Sequence, residues 1–191
     1  KKLEPFSAVD ILVIDDGSID GTKYIAQKQG AIVLSHMINR GLGGALKTIF
    51  AYALQYHYDA LVTFDADGQH KGEDLIKLVQ PILEEKKDVV IGTRWKKRGE
   101  VPISRYLVNQ CANLITWFLF GIFTTDSQSG LRAFDRGAIE KIQITSDGME
   151  VSSEFFKEIK THNLRLGEVP ISPFYTDYSK RKGQRLDNAP E

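Results

Sequence analysis

Asp65-Ala66-Asp67-Gly68-Gln69-His70 is the stretch whose residue types and spacing point most directly to chemistry. Residues two apart on an extended chain face the same way, about 6–7 Å apart, so both carboxylates can reach one hard cation that also holds a diphosphate. Gln69 adds an amide oxygen able to complete that coordination. Oxygen-only ligation suits Mg²⁺ or Mn²⁺. The stretch closes the apolar run Ala60 to Phe64, which reads as a short buried strand, and ligands of open parallel sheets bind at such carboxyl ends. Taken alone, two aspartates in this spacing fit a solvated turn equally well.

A second acidic strand end strengthens the reading. Val9 to Ile14 is a continuous β-branched and leucine run, the pattern of a parallel strand buried on both faces, and it ends at Asp15-Asp16-Gly17-Ser18. A doubly wound sheet brings strand ends together, which suits a nucleotide with a metal: one carboxylate accepts from ribose or base, the others carry the cation. Arg94 and Arg105 offer the opposite chemistry, guanidinium groups able to hold a second phosphate. The histidines His36, His57, His70 and His162 show no metal-ligand spacing, and all but His70 read as structural or surface residues.

The elements that must position these groups alternate. After the first strand, a helix runs to about Gln29 with Asp20 as its expected N-cap, then a strand over Ala31 to Ser35. The Gly-rich loop Asn39 to Ala45 lacks the dinucleotide spacing and reads as close backbone approach before a helix with Leu46, Ile49, Phe50, Ala53 and Leu54 on one face. Glu73 to Lys86 predicts an amphipathic helix with Leu75, Leu78, Val79, Ile82 and Leu83 inward, and Asp88 to Gly92 a further strand. The alternation predicts an α/β fold with a mostly parallel sheet. Beyond Gly92 it stops. A helical stretch follows from about Ile103 to Phe123, then a loop Asp126 to Arg132, a helix over Gly148 to Thr161, a strand over Arg165 to Ile171 and a polar basic tail.

Composition narrows the function classes. The 191 residues suffice for one domain, and 25 basic against 25 acidic residues argue against a non-specific nucleic-acid binder. Basic residues nevertheless cluster at Lys96 to Arg98 and Lys180 to Arg185, each cluster able to meet phosphate. The single Cys111 excludes an intrachain disulfide. No apolar run reaches the roughly 18–20 residues that span a bilayer. The longest, Leu114 to Phe123, reads equally as a buried core helix or as an interfacial helix on a membrane.

Taken in order, VIDDGSIDGT from Val13, NRGLGGA from Asn39, DADGQH from Asp65, GTR from Gly92, DSQSGLRAF from Asp126, EVPI from Glu168 and KGQ from Lys182 resemble family-2 glycosyltransferases of GT-A fold. Within these the chain resembles the polyprenyl-phosphate (dolichyl-phosphate) sugar synthases. The resemblance implies a Rossmann-like sheet flanked by helices. It implies a nucleoside site at Asp16 with Ile14 beside it, a metal site at Asp65, Asp67 and Gln69, donor contacts reaching Ala66 and Lys180, and a phosphate site at Arg94. Arg105 and Asn113 fit the family's R-x-x-x-S-x-x-x-N pattern, with Asn109 where serine is expected. The family's opening strand, ending in P-x-Y-N-E, has no counterpart before Val9, so the sheet is expected to lack its first strand. The family's R-x-x-G-[EQ]-S-K reads Lys180 to Leu186 here, with three substitutions.

These features imply one catalytic domain, with residues 1–92 as the nucleotide half, 93–175 as the acceptor half and 176–191 as a basic tail. The expected reaction is metal-dependent transfer of a sugar from a UDP- or GDP-linked donor to a polyprenyl phosphate, at the cytoplasmic face of a membrane, with Asp67, Arg94 and Arg105 as catalytic groups and no nucleic-acid partner. One alternative is transfer to a carbohydrate hydroxyl in cell-surface polysaccharide synthesis, with Asp126 or Glu154 as general base. Another is a degenerate nucleotide-sugar-binding domain. Glu154 otherwise reads as the cap of a charge network.

Overall fold

A computed structural model describes residues 9–68, 70–94 and 103–172. The elements run β1 (Leu12–Asp15), α1 (Thr22–Lys28), β2 (Ile32–Ser35), α2 (Gly41–Gln55), β3 (Ala60–Thr63), α3 (Gly72–Leu83), β4 (Val89–Thr93), α4 (Ile103–Phe120), β5 (Arg132–Asp135), α5 (Arg136–Lys141), α6 (Val151–Thr161) and β6 (Leu166–Pro170).

The strands form two sheets, a parallel pair β1–β2 and a four-stranded sheet in the order β3–β5–β4–β6. β5 runs antiparallel to both β3 and β4, while β4 and β6 are parallel, so β3, β4 and β6 point one way and β5 alone is reversed. The sequence pattern reads Asp126 to Arg132 as a loop and offers no strand between it and the helix at Gly148. A four-residue strand with a charged residue at each end, Arg132 and Asp135, carries too little apolar pattern to register.

β4 is buried along its whole length. Its side chains alternate between two cores, as the two-residue period of a strand requires. Val89 and Ile91 join Phe134, Phe50 of α2, Ala138 and Ile139 of α5, and Phe155, Phe156 and Ile159 of α6. Val90 joins Leu131, Ala133, Ile171 and Leu78 and Ile82 of α3. Helices thus cover both faces of the larger sheet. On α3, Leu78, Val79 and Ile82 point inward as the pattern predicts, but Leu83 ends the helix exposed.

β1 departs from expectation. It is only partly buried up to Asp15, and Val9 and Ile11 before or at its start are exposed. Among the described residues its only ladder partner is β2, so one edge is unpaired, as is one edge of β3. The expected adjacency of the Asp16 strand to the strand bearing Asp65 and Asp67 is therefore corrected: among the described residues no ladder joins β1 to β3, which lie in separate sheets. Asp20 also sits one residue before the N-cap of α1, which is Gly21, and accepts from the Thr22 amide at 2.9 Å.

Candidate active site

The first acidic strand end is closed by internal hydrogen bonds. Asp16 Oδ1 accepts from His36 Nδ1 at 2.6 Å and from the Arg40 amide at 2.9 Å, and Oδ2 accepts from the Gly41 amide at 2.8 Å. Those two amides open helix α2, where a carboxylate is favoured by unpaired N–H groups and the helix dipole. Burial alone would push the Asp16 carboxyl up. The His36 contact and both amides outweigh it, and the group titrates below the usual carboxylate range. Asp15 is buried beside it and accepts from the Ser18 amide at 3.1 Å. Ile14, the other residue expected at the nucleoside, is half-buried on β1.

The Gly-rich loop earns its glycines by close approach. A Cβ at Gly43 would stand 2.1 Å from the Ser146 carbonyl oxygen, and one at Gly41 would stand 2.6 Å from that of Asp147. Gly41 also holds φ at +77°, which L side chains rarely adopt. Lys47 locks the same junction through Asp147 at 2.7 Å and the Thr145 carbonyl at 2.5 Å. Glu154 accepts from the amides of Thr145 and Ser146 at 2.9 and 3.0 Å and from the Thr145 hydroxyl. These partners are neutral, so Glu154 anchors residues 145 and 146 rather than capping a charge network.

The second acidic strand end is unlike the first. Solvent reaches Asp65, yet protein crowds it: a Cβ at Gly130 would lie 2.5 Å from Oδ2. Burial, reinforced by the charge of Asp67, raises the Asp65 carboxyl above its ordinary value against the pull of His70, Arg132 and Arg94. Ala66 is exposed and Asp67 half-buried. Among the described residues His70 Nδ1 is buried with no hydrogen-bond partner. Burial lowers the pKa of His70, the attraction of Asp65 and Asp67 opposing it. No cluster of three His, Cys, Asp or Glu side chains among the described residues could hold an ion unaided, so two carboxylates are what this loop offers. They fit a hard divalent cation, because it would relieve both the burial and the mutual repulsion that raise Asp65. Gln69, the expected third ligand, lies outside the described residues, as does Lys180.

Arg94 immediately follows β4 and is held rather than loose. Its Nε and Nη2 donate to Asp126 Oδ2 and Oδ1, each at 2.7 Å, and its amide donates to Oδ2 at 3.1 Å. Asp126 is completely buried. Sequence reasoning missed what secures it. Asn109 and Asn113 of α4 donate to the Thr125 carbonyl at 3.0 and 2.8 Å, and Glu168 of β6 accepts from the Thr125 amide at 2.6 Å. The asparagines of the R-x-x-x-S-x-x-x-N pattern therefore fasten the segment beside Arg94. The side chain of Arg105 lies outside the described residues.

Arg132 is a second functional candidate that sequence reasoning passed over. It is 4% exposed and lies over Phe155, its guanidinium carbon 4.7 Å from the ring centre. Burial lowers its pKa to about 10, against the attraction of Asp126 and Asp65, so it stays charged at neutral pH. The available signal was the DSQSGLRAF sequence, whose arginine immediately precedes apolar residues.

α4 is polar inward and apolar outward. Asn109, Asn113 and Thr116 are buried, whereas Leu114, Ile115, Trp117, Phe118 and Leu119 are exposed, with Phe118 at 80% and Phe123 just beyond the helix at 84%. The buried-core alternative therefore fails for these residues and holds only for Phe120 and Ile122, which pack against the core. Among the described residues no helix is long and apolar enough to cross a membrane.

Residues 2–143 match the family model for glycosyl transferase family 2. An uncharacterized protein of Methanocaldococcus jannaschii is 47% identical, the match covering 97% of this chain and 79% of that protein. The UDP-N-acetylglucosamine–dolichyl-phosphate N-acetylglucosaminyltransferase of Methanococcus voltae is 37% identical over 93% of this chain and 79% of its own length. The polyprenol monophosphomannose synthase of Mycolicibacterium smegmatis is 35% identical over 86% and 66%. Among solved structures, glucosyl-3-phosphoglycerate synthase of Mycobacterium tuberculosis, in complex with Mn²⁺ and UDP-glucose, superposes with a TM-score of 0.67 at 20% identity, covering 92% of this chain and 61% of that one. At that identity the likeness concerns the fold, which is of GT-A type. The chain spans about three fifths of the length of the solved structures it matches.

Proposed function

We propose that this chain, which belongs to glycosyltransferase family 2, transfers a sugar from a nucleotide-sugar donor to a polyprenyl phosphate, with Mg²⁺ or Mn²⁺ held by Asp65, Asp67 and Gln69. One arrangement carries the reading: the segment that secures Arg94 is fastened to the polar face of α4, whose opposite face is apolar and exposed. A phosphate held at Arg94 would thus neighbour a surface suited to a lipid chain. The names of the Methanococcus and Mycolicibacterium relatives support a dolichyl- or polyprenol-phosphate acceptor, and the former a UDP-linked donor.

A lipid phosphate is already an anion and requires no side-chain base. The work left to the protein is placement and charge. Asp126 pre-sets the Arg94 guanidinium, and Arg94 and Arg105 orient the incoming phosphate. The cation, when bound, neutralises the departing diphosphate. Asp65 and Asp67 hold that charge at the strand end, while Asp16 shapes the nucleoside pocket and the apolar face of α4 seats the enzyme at the cytoplasmic membrane surface.

The hydroxyl-acceptor alternative needs a free base. Asp126 is fully buried and paired with Arg94, and Glu154 is saturated by Thr145 and Ser146, so neither candidate is placed to take a proton. The test is initial rates with labelled UDP- and GDP-sugars, using a polyprenyl phosphate and the same lipid as free alcohol. Wild-type protein should use only the phosphate. Arg105→Ala should be slower by roughly ten- to a hundredfold, the cost of a charge-assisted contact. Equal use of both acceptors would sink the lipid-phosphate reading.

A further inference from the structure

We propose that Arg132 positions Asp65 through the turn at residues 127–130, so that a buried guanidinium touching neither substrate sets how tightly the site holds its cation. This rests on the reading of Asp65 and Asp67 as cation ligands. Arg132 lies on β5 directly across the ladder from Thr63, two residues before Asp65. Its guanidinium lies over Phe155 and approaches Phe156, 5.8 Å from the ring centre. Its Nε donates to the Ser129 carbonyl at 2.9 Å and its Nη2 to the Ser127 carbonyl at 3.1 Å. Both acceptors belong to one turn, which the planar fork therefore fixes from beneath. Thr63 secures the next carbonyl, its hydroxyl donating to Gly130 at 3.0 Å.

Asp65 rests against that turn. The Cβ that Gly130 lacks would stand 2.5 Å from Asp65 Oδ2 and 3.1 Å from Cγ, so the carboxylate lies against bare backbone and moves if the turn moves. Charge acts in the same sense, because Arg132 attracts both Asp65 and Asp126. Lysine is no substitute. A single ammonium cannot serve both carbonyls while lying flat on an aromatic ring.

The experiment titrates Mn²⁺ into the full-length protein at saturating UDP, reading free Mn²⁺ by electron paramagnetic resonance. Arg132→Lys and Gly130→Ala should each weaken Mn²⁺ binding by about tenfold or more, the usual range for groups that orient a metal ligand. UDP affinity without metal should stay within about twofold, as a loss of fold would not allow. Ile159→Val, a core change on α6, should leave Mn²⁺ binding unaltered. Wild-type Mn²⁺ affinity in Gly130→Ala overturns the proposal, whether or not Arg132→Lys folds. If the wild-type protein with UDP binds no Mn²⁺, the cation reading of the site falls and this proposal with it. Tight wild-type binding that both variants retain defeats only the positioning role.

Discussion

Two strand ends in this molecule carry a pair of aspartates, and they are built in opposite ways. At β1, Asp16 is saturated by His36 and by the amides that open α2, and its carboxyl titrates low. Beyond β3, Asp65 is crowded by the turn at Gly130 and repelled by Asp67, and its carboxyl titrates high. The first acid is stabilised by the fold. The second is tolerated by it. A carboxylate whose partners are all internal acts as scaffold, whereas one held close to another without enough compensation marks where a cation is expected. Asp16 can still border a nucleoside, but its oxygens are already committed to holding the loop at Asn39 to Gly41.

The contrast makes graded predictions. Asp67→Ala should have the largest effect, lowering metal-dependent turnover roughly a thousandfold, since a catalytic cation supplies several kcal/mol. Thermal stability should be nearly unchanged. Turnover within about tenfold of wild type, at saturating Mg²⁺ or Mn²⁺, would remove the distinction between the two ends.

Asp16→Asn should act on the fold first, costing about 1–3 kcal/mol at neutral pH through weakened charge-assisted hydrogen bonds. Its pH dependence follows from the low folded pKa. The contribution of Asp16 is fully present above the unfolded value of 3.8 and is lost as pH falls through the folded value below it. Urea unfolding of both proteins should therefore differ at pH 7 and converge in strong acid. A variant as stable as wild type at pH 7, with weaker UDP binding, would move Asp16 from scaffold to ligand.

The smallest effect is the most diagnostic. Ionisation of Asp65 costs stability as pH rises through its raised folded value, so Asp65→Asn in chelator should be slightly more stable at neutral pH. Solvent access keeps the gain to roughly half a kcal/mol or less. Opposite signs for Asp16→Asn and Asp65→Asn in one melting series would sharpen the comparison, and the same sign would break it.

Much was legible without coordinates. The alternating apolar runs marked β1, β2, β3 and β4 and the helices between them, because a strand buried in a layered sheet must be apolar over four or five consecutive residues. The glycines at 41, 43 and 44 announced close approach. β5 was not legible, since its middle position in the sheet depends on ladders to β3 and β4 formed by residues about 40 to 75 positions away. Arg132 was hidden with it: an arginine between apolar neighbours looks like a surface residue until two phenylalanines of α6 and two carbonyls are found around it.

The sequence by itself determined which residues carry charge at each strand end, because local pattern sets where strands stop and acids begin. The tertiary structure decided what each charge is for. Hydrogen-bond partners and burial come from segments distant in the chain, such as Arg40 and Gly41 for Asp16, Gly130 for Asp65 and Asp126 for Arg94. It also decided which way α4 faces. The same apolar residues could have filled a core, but Asn109 and Asn113 turn inward to satisfy a loop, and the apolar side of the helix is left facing out.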